Sequence, residues 1–210
     1  MNALQTGTRR HFDADYREDV VLRDGSAVFL RLVRPSDKAL LVRGLERLSK
    51  ESRYMRFFTN KSRWSDAELA YLTELDQERH LAIGAGRLDA DGNEEGIGVA
   101  RFVVSPDDPA LAEAAVALLD EVQNVGLGRL LFMRLIAAAR ERGVERFFAE
   151  TLPDNFAMQR LWRSFDPEST ESRGASRFLS LRLPDVSPTA AMRGPVETTR
   201  VRAKTAVDSP

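Results

Sequence analysis

Cysteine is absent from this chain of 210 residues, and histidine occurs only twice. A chain without cysteine cannot form disulfides, thiolate metal sites or a cysteine nucleophile. The two histidines, His11 and His80, lie far apart in the sequence and give no metal-binding constellation. The sequence therefore predicts no metal site and no acyl intermediate on an enzyme thiol.

The chain also lacks an excess of charge of either sign. Lys and Arg number 31 against 32 Asp and Glu, a formal net charge of −1, which argues against a nucleic-acid footprint or a polybasic membrane patch. No segment reaches the roughly 18 apolar residues of a membrane span. The charged N-terminal residues predict no secretion signal. We therefore expect a cytoplasmic protein that binds neither nucleic acid nor membrane.

The pattern of the chain predicts one folded domain between two flexible ends. Residues 1–17 are polar, and residues 184–210 contain four prolines and almost no aliphatic pattern. Between them, residues 18–183 read as strands that precede and alternate with helices. This order predicts an α/β domain with a mixed sheet.

The most informative segment is residues 118–128, where an apolar strand turns through glycines into an amphipathic helix. Gln123, Gly126 and Gly128 form the pattern Gln-x-x-Gly-x-Gly. The first N–H groups of a helix have no internal partner, and the helix dipole favours anions there. Glycine lets the backbone approach an anion without a Cβ clash. The pattern is typical of a phosphate site, although strand–helix turns that bind nothing also contain glycine pairs.

This segment resembles the acyl-CoA signature of the GNAT superfamily of N-acetyltransferases, in which an apolar residue, here Leu118, stands five positions ahead of the glutamine. Segments 21–26, 48–58 and 65–69 further resemble bacterial protein-lysine acetyltransferases of the Pat-like group. The resemblance covers roughly residues 20–183 and implies a stand-alone catalytic domain.

The resemblance also implies the GNAT fold and its ligand. That fold is a mixed, mostly antiparallel sheet with helices on both faces, in which the strands at 111–119 and 146–151 splay apart. Acetyl-CoA lies in the cleft between them, and no metal takes part. The residues expected to bind the cofactor are Leu118, Leu119, Asp120, Gln123, Asn124, Val125, Gly126, Leu127, Gly128, Arg129 and Asn155.

Several of these residues have an alternative role. Leu118 and Leu119 would offer backbone groups to the pantetheine arm. Arg129 is either a phosphate partner or a solvated helix residue, and Asn155 is either a cofactor contact or a helix N-cap. Asn124 and Val125 stand where family members have Gly or Arg, but asparagine tolerates a left-handed backbone.

Acetyl transfer to a lysine needs a base, because only about one lysine in 2,500 is neutral at pH 7. Glu113 stands where the resembling enzymes have their proposed general base, and an exposed structural carboxylate is the alternative. For His80 a structural hydrogen bond is favoured over catalysis. Trp162 occupies the position of the tyrosine that serves as the acid in many GNAT enzymes, and tryptophan cannot serve as that acid.

We therefore expect an N-acetyltransferase that passes acetyl from acetyl-CoA directly to a protein lysine in a ternary complex. An acyl-CoA synthetase is the candidate protein acceptor. A small-molecule amine acceptor and a non-catalytic acyl-CoA sensor remain alternatives, and monomer and dimer are both open. Residues 184–210 could act as a lid over the acceptor groove.

Overall fold

The computed structural model describes residues 10–185. Residues 1–9 and 186–210, which make up most of the lid expected at 184–210 and about half or more of each end expected to be flexible, lie outside the described residues. The described chain forms β1 (Arg17–Val21), β2 (Ala27–Leu32), α1 (Lys38–Arg47), α2 (Lys50–Phe57), α3 (Asp66–Thr73), β3 (His80–Leu88), β4 (Glu94–Val104), β5 (Leu111–Leu118), α4 (Leu127–Arg140), β6 (Arg146–Thr151), α5 (Phe156–Arg163), β7 (Ser169–Arg173) and β8 (Ser176–Arg182).

The strands form one sheet in the order β1-β2-β3-β4-β5-β6-β8-β7. All neighbouring strands are antiparallel except β5 and β6. That parallel pair joins only Leu111–Glu113 to Arg146–Phe148, and the strands diverge beyond it. The predicted mixed, mostly antiparallel sheet with a splayed strand pair is therefore confirmed.

Helices cover both faces of the sheet, as expected from the alternation of side chains along β4. Phe102 lies on the face that packs against α4, where the rings of Phe102 and Phe132 both contact Phe147. Ile97 and Arg101, at odd positions of β4, face α1 and α3 instead. Fully burying one such phenylalanine contributes about 1.5–3 kcal/mol, so these rings anchor α4 beneath the splayed strands.

The structure differs from the expected elements in two places. Phe12 and Tyr16 are buried in the core, so the packed part of the chain begins before residue 18, because two aromatic rings in a polar segment suffice to anchor it. The strand β7 was not predicted. It is a polar edge strand paired only with β8, and a strand of this kind has no alternating apolar pattern.

Candidate active site

A cleft of about 690 Å³ opens where β5 and β6 diverge. Its walls are β5, the glycine turn and the start of α4 on one side, and α2, the end of β6 and α5 on the other. Most residues predicted from sequence line it together: Glu113, Leu118, Asp120, Gln123, Asn124, Gly126, Gly128, Arg129 and Asn155. Leu119, Val125 and Leu127 are not part of the lining, and Leu119 and Leu127 are buried in the core.

The glycine turn presents unpaired backbone N–H groups to this cleft. Asn124 and Gly126 have positive φ angles of 63° and 95°, so the asparagine adopts the left-handed backbone that its side chain tolerates. Leu130 donates the first backbone hydrogen bond of α4, to the Gly126 carbonyl at 3.1 Å. The amides of residues 127–129 precede that bond and have no acceptor within the helix. The turn can therefore bind an anion at the positive end of the helix dipole.

The edge of β5 offers further backbone groups, but not at every predicted residue. The N–H of Leu119 donates to the Ile97 carbonyl of β4 at 3.0 Å. Because backbone groups in antiparallel pairs alternate in direction, the amides of Val116 and Leu118 point the other way, toward the gap left by β6. The structure thus differs from the expectation for Leu119. It adds Val116, whose direction follows from strand register rather than from composition.

Polar partners inside the protein already engage two predicted cofactor residues. Both carboxylate oxygens of Asp120 accept hydrogen bonds from Ser49 and Ser52, which ties the start of α2 to the loop after β5 and lowers the pKa of Asp120 despite its partial desolvation. The guanidinium group of Arg129 donates hydrogen bonds to the backbone carbonyl and to the hydroxyl of Ser164. These two side chains shape the cleft walls.

Asn155 fulfils the helix-capping alternative. Its Oδ1 accepts from the Met158 N–H at 3.0 Å at the start of α5, and its Nδ2 donates to the Met55 carbonyl of α2 at 3.5 Å. The side chain therefore links α5 to α2 within one wall of the cleft. Trp162, further along α5, is fully buried against Phe132, so it packs in the core.

Glu113 lies on β5 at the last residue paired with β6 and is exposed to the cleft. Its side chain shares a sheet face with Ala115, which lies opposite Arg101 of β4. Arg56 of α2 lies close enough that the negative charge of Glu113 favours the charged form of Arg56. The carboxylate thus faces α2 and α3.

The environment of His80 is that of a structural residue. Its Nε2 lies 3.3 Å from Arg101 Nη1, and its ring lies 4.8 Å from that of Tyr71. Burial and then the charge of Arg101 lower the pKa of His80 to about 4. A neutral imidazole can accept the hydrogen bond of Arg101, as the structural role requires.

The helix α2 and the far wall also contribute to the cleft. The sequence leaves open whether Arg56 faces the acceptor or solvent, and the structure places it at the cleft because α2 is folded over the sheet. Of the three aromatic side chains at the end of α2, only Phe57 packs inward, on Trp64, whereas Tyr54 and the C-cap residue Phe58 are exposed. Further lining residues absent from the prediction are Ser52, Met55, Ala115, Glu150, Thr151, Asp154, Phe156 and Arg160.

Two kinds of feature are absent from residues 10–185. No group of three or more His, Cys, Asp or Glu side chains in residues 10–185 is placed to hold a metal ion. None of the helices in that range has both the length and the apolar character needed to cross a membrane.

The sequence profile of the acetyltransferase (GNAT) family matches residues 45–166. The chain belongs to this family, and the described residues form an acetyltransferase domain of the GNAT type.

The chain is similar to acetyltransferases named Pat. It is 35% identical over 147 residues to the acetyltransferase Pat of Mycolicibacterium smegmatis, a match that covers 68% of this chain and 41% of that protein. The crystal structure of the GNAT domain of Streptomyces lividans (S. lividans) PAT superimposes with a TM-score of 0.72 at 30% identity, covering 82% of this chain and 99% of that one. The acetyltransferase PA5475 of Pseudomonas aeruginosa is 29% identical, over 67% of this chain and 74% of its own length.

Proposed function

We propose that the chain transfers an acetyl group from acetyl-CoA to a lysine ε-amine of a protein, directly within a ternary complex. The observation that carries this proposal is the cleft, in which a glycine turn with unpaired N–H groups and the carboxylate of Glu113 line one opening between diverging strands. The resemblance of the sequence to bacterial protein-lysine acetyltransferases supports a protein as the acceptor.

The donor fits the cleft through backbone groups. The amides of residues 127–129 would bind the pyrophosphate of CoA at the start of α4, where the glycines leave room for it. The amide-rich pantetheine arm would then lie along β5 and bind the outward-facing amide of Leu118, as an added strand does. This path brings the thioester toward Glu113, on the same strand.

The reaction requires removal of a proton from the acceptor. Glu113 takes a proton from the lysine ammonium, and the neutral amine attacks the thioester carbonyl carbon. A C–N bond forms, the C–S bond breaks, and CoA leaves as a thiolate that takes up a proton. The N–H of Val116 would stabilise the developing oxyanion, because strand register turns it toward the gap between β5 and β6.

Composition supports direct transfer. The chain has no cysteine to carry an acetyl group as a thioester, so we expect donor and acceptor to be bound together. Initial rates measured against both substrates should therefore give intersecting double-reciprocal lines, whereas a covalent acetyl-enzyme would give parallel lines.

The acceptor is tested by following free CoA with a chromogenic thiol reagent, to which this cysteine-free chain adds no background. We would compare an acyl-CoA synthetase with an exposed active-site lysine, whose own thiols are subtracted, with a panel of small amines. CoA release with the synthetase and a new acetyl-lysine on it by mass spectrometry is the expected result. Release with small amines alone would overturn the protein-lysine assignment, and tight acetyl-CoA binding without any release would indicate a sensor.

A further inference from the structure

Two arginine side chains meet beside Glu113 without a carboxylate partner of their own. Arg101 is only 7% exposed, and its hydrogen bonds go to His80 Nε2 at 3.3 Å and the Leu72 carbonyl at 3.4 Å, both neutral groups. Arg56 of α2 forms no hydrogen bond or ion pair within residues 10–185, although Glu113 favours its charge electrostatically. The pair therefore holds two positive charges at the acceptor side of the cleft.

This arrangement is unlike that of other buried arginines in the same fold. Arg31 bonds to Asp37 and Glu94, and Arg134 bonds to Glu18 through two nitrogens. Burial of an arginine without such a partner is unfavourable, and a neighbouring like charge makes it more so. A site that keeps one such buried charge, Arg101, beside a second, half-buried one, Arg56, is a candidate for binding an anion.

Burial and mutual repulsion weaken the charged forms without removing them. Burial and then the charge of Arg56 lower the pKa of Arg101 to about 10, and burial also lowers the pKa of Arg56. Both guanidinium groups therefore remain charged at neutral pH. Their planar donors match the two oxygens of a carboxylate.

The position of the pair is next to the expected reacting centre. Arg56 lines both the large cleft and a second, mostly apolar cavity of about 130 Å³ between α1 and β4, and Arg101 lines that cavity. The two spaces share Ala117 and Leu118 of β5, the strand along which the donor would lie. A short group leaving the cleft at this point would meet Arg56 and then Arg101.

We propose that Arg56 and Arg101 form a carboxylate-binding subsite of the acyl-transfer site. The carboxylate belongs either to the acyl group of the CoA thioester or to the amine acceptor, and the chemistry of recognition is the same. This inference rests on the proposed function. Glu113 does not fill the subsite, because it is exposed and forms no ion pair with either arginine in the described residues.

The donor arm of the test compares succinyl-CoA with butyryl-CoA. Both acyl groups have four carbons, but the succinyl group ends in a carboxylate and the butyryl group ends in a methyl group. Calorimetric binding to the intact chain should favour succinyl-CoA by about ten- to a hundredfold if the donor carries the carboxylate. If succinyl-CoA is also used, transfer makes the same C–N bond and breaks the same C–S bond, and the carboxylate is unchanged.

The acceptor arm uses the enzyme saturated with CoA, which has no acyl group and cannot react. Two labelled peptides, identical except that the lysine is flanked by glutamate in one and glutamine in the other, are compared by fluorescence anisotropy. A tighter complex with the glutamate peptide, by a similar factor, assigns the carboxylate to the acceptor.

The variants Arg56→Met and Arg101→Met remove the charges while keeping most of the side-chain volume. Each should abolish the preference in whichever arm shows it, while Arg53→Met, a neighbour on α2 that bonds to backbone carbonyls, should keep it. No preference in either arm of the unmodified chain would overturn the proposal, even if a variant fails to fold. The proposal would also be overturned if both Met variants kept the preference of the unmodified chain. Both arms measure binding and not turnover. A preference in a chain that transfers no acetyl group would therefore refute the proposed function and leave the carboxylate subsite standing.

Discussion

Replacing Gly126 with alanine should strain the turn that precedes α4. Gly126 has a φ of +95°, and a Cβ built there meets no atom within 4 Å. The effect on folding is therefore backbone strain without a steric clash, about 1–2 kcal/mol for an L-residue in the left-handed region. For a domain of this size, thermal unfolding should shift down by about 2–4 °C per kcal/mol.

The same change should weaken acetyl-CoA binding by more than the strain alone explains. If the backbone relaxes to relieve the strain, the amides that follow Gly126 no longer converge on one anion. Loss of one charge-assisted hydrogen bond, at about 1.5–3 kcal/mol, would weaken binding about ten- to a hundredfold. Isothermal calorimetry with acetyl-CoA measures this directly.

Gly92 provides the matched control. It lies in the turn between β3 and β4, away from the cleft, with a φ of +81° and no atom within 4 Å of a built Cβ. Gly92→Ala should cost a similar free energy of unfolding and leave acetyl-CoA binding unchanged. Wild-type binding by Gly126→Ala, or equal weakening by both variants, would refute the assignment of the glycine turn as the pyrophosphate site.

Two further predictions concern buried charges. An NMR titration of the folded protein should give His80 a pKa near 4. Between pH 4 and 6.5 the unfolded chain then binds more protons than the folded one, so the contribution of His80 to stability should fall as the pH drops through that window. A pKa near 6.5 in the folded protein would contradict the partly buried environment of His80. Arg134→Met should lower the free energy of unfolding by about 3–5 kcal/mol in urea titrations, since it leaves Glu18 with an uncompensated charge; a loss below about 1 kcal/mol would show that the ion pair is not structural.

The parts of the fold that could be predicted are those recorded by local pattern. The hairpin of β3 and β4 follows from alternating apolar residues around a turn at Asp91 and Gly92, and the helix after the glycine turn follows from its apolar face. β7 could not be predicted, because Ser169–Arg173 is polar and is held only by the backbone of β8. Phe12 was missed because its burial depends on contacts far along the chain, such as its N–H donating to Glu141.

The candidate site divides in the same way. Gln123, Gly126 and Glu113 could be named because a motif and a resemblance place them in sequence. For Arg56 the sequence leaves open whether the side chain faces the acceptor or solvent, because its position near Glu113 depends on how α2 packs across the sheet. The difference between Leu119, whose N–H is bonded to β4, and its neighbour Leu118 depends on strand register, which a one-residue shift would reverse.

The role of Glu113 as the general base is tested most directly by comparing the turnover of Glu113→Gln with that of Glu150→Gln. Both carboxylates line the cleft, one on each diverging strand. We expect Glu113→Gln to bind acetyl-CoA normally but to turn over about 10²- to 10⁴-fold more slowly at neutral pH. Wild-type turnover by Glu113→Gln across the pH range, with activity lost in Glu150→Gln instead, would contradict it.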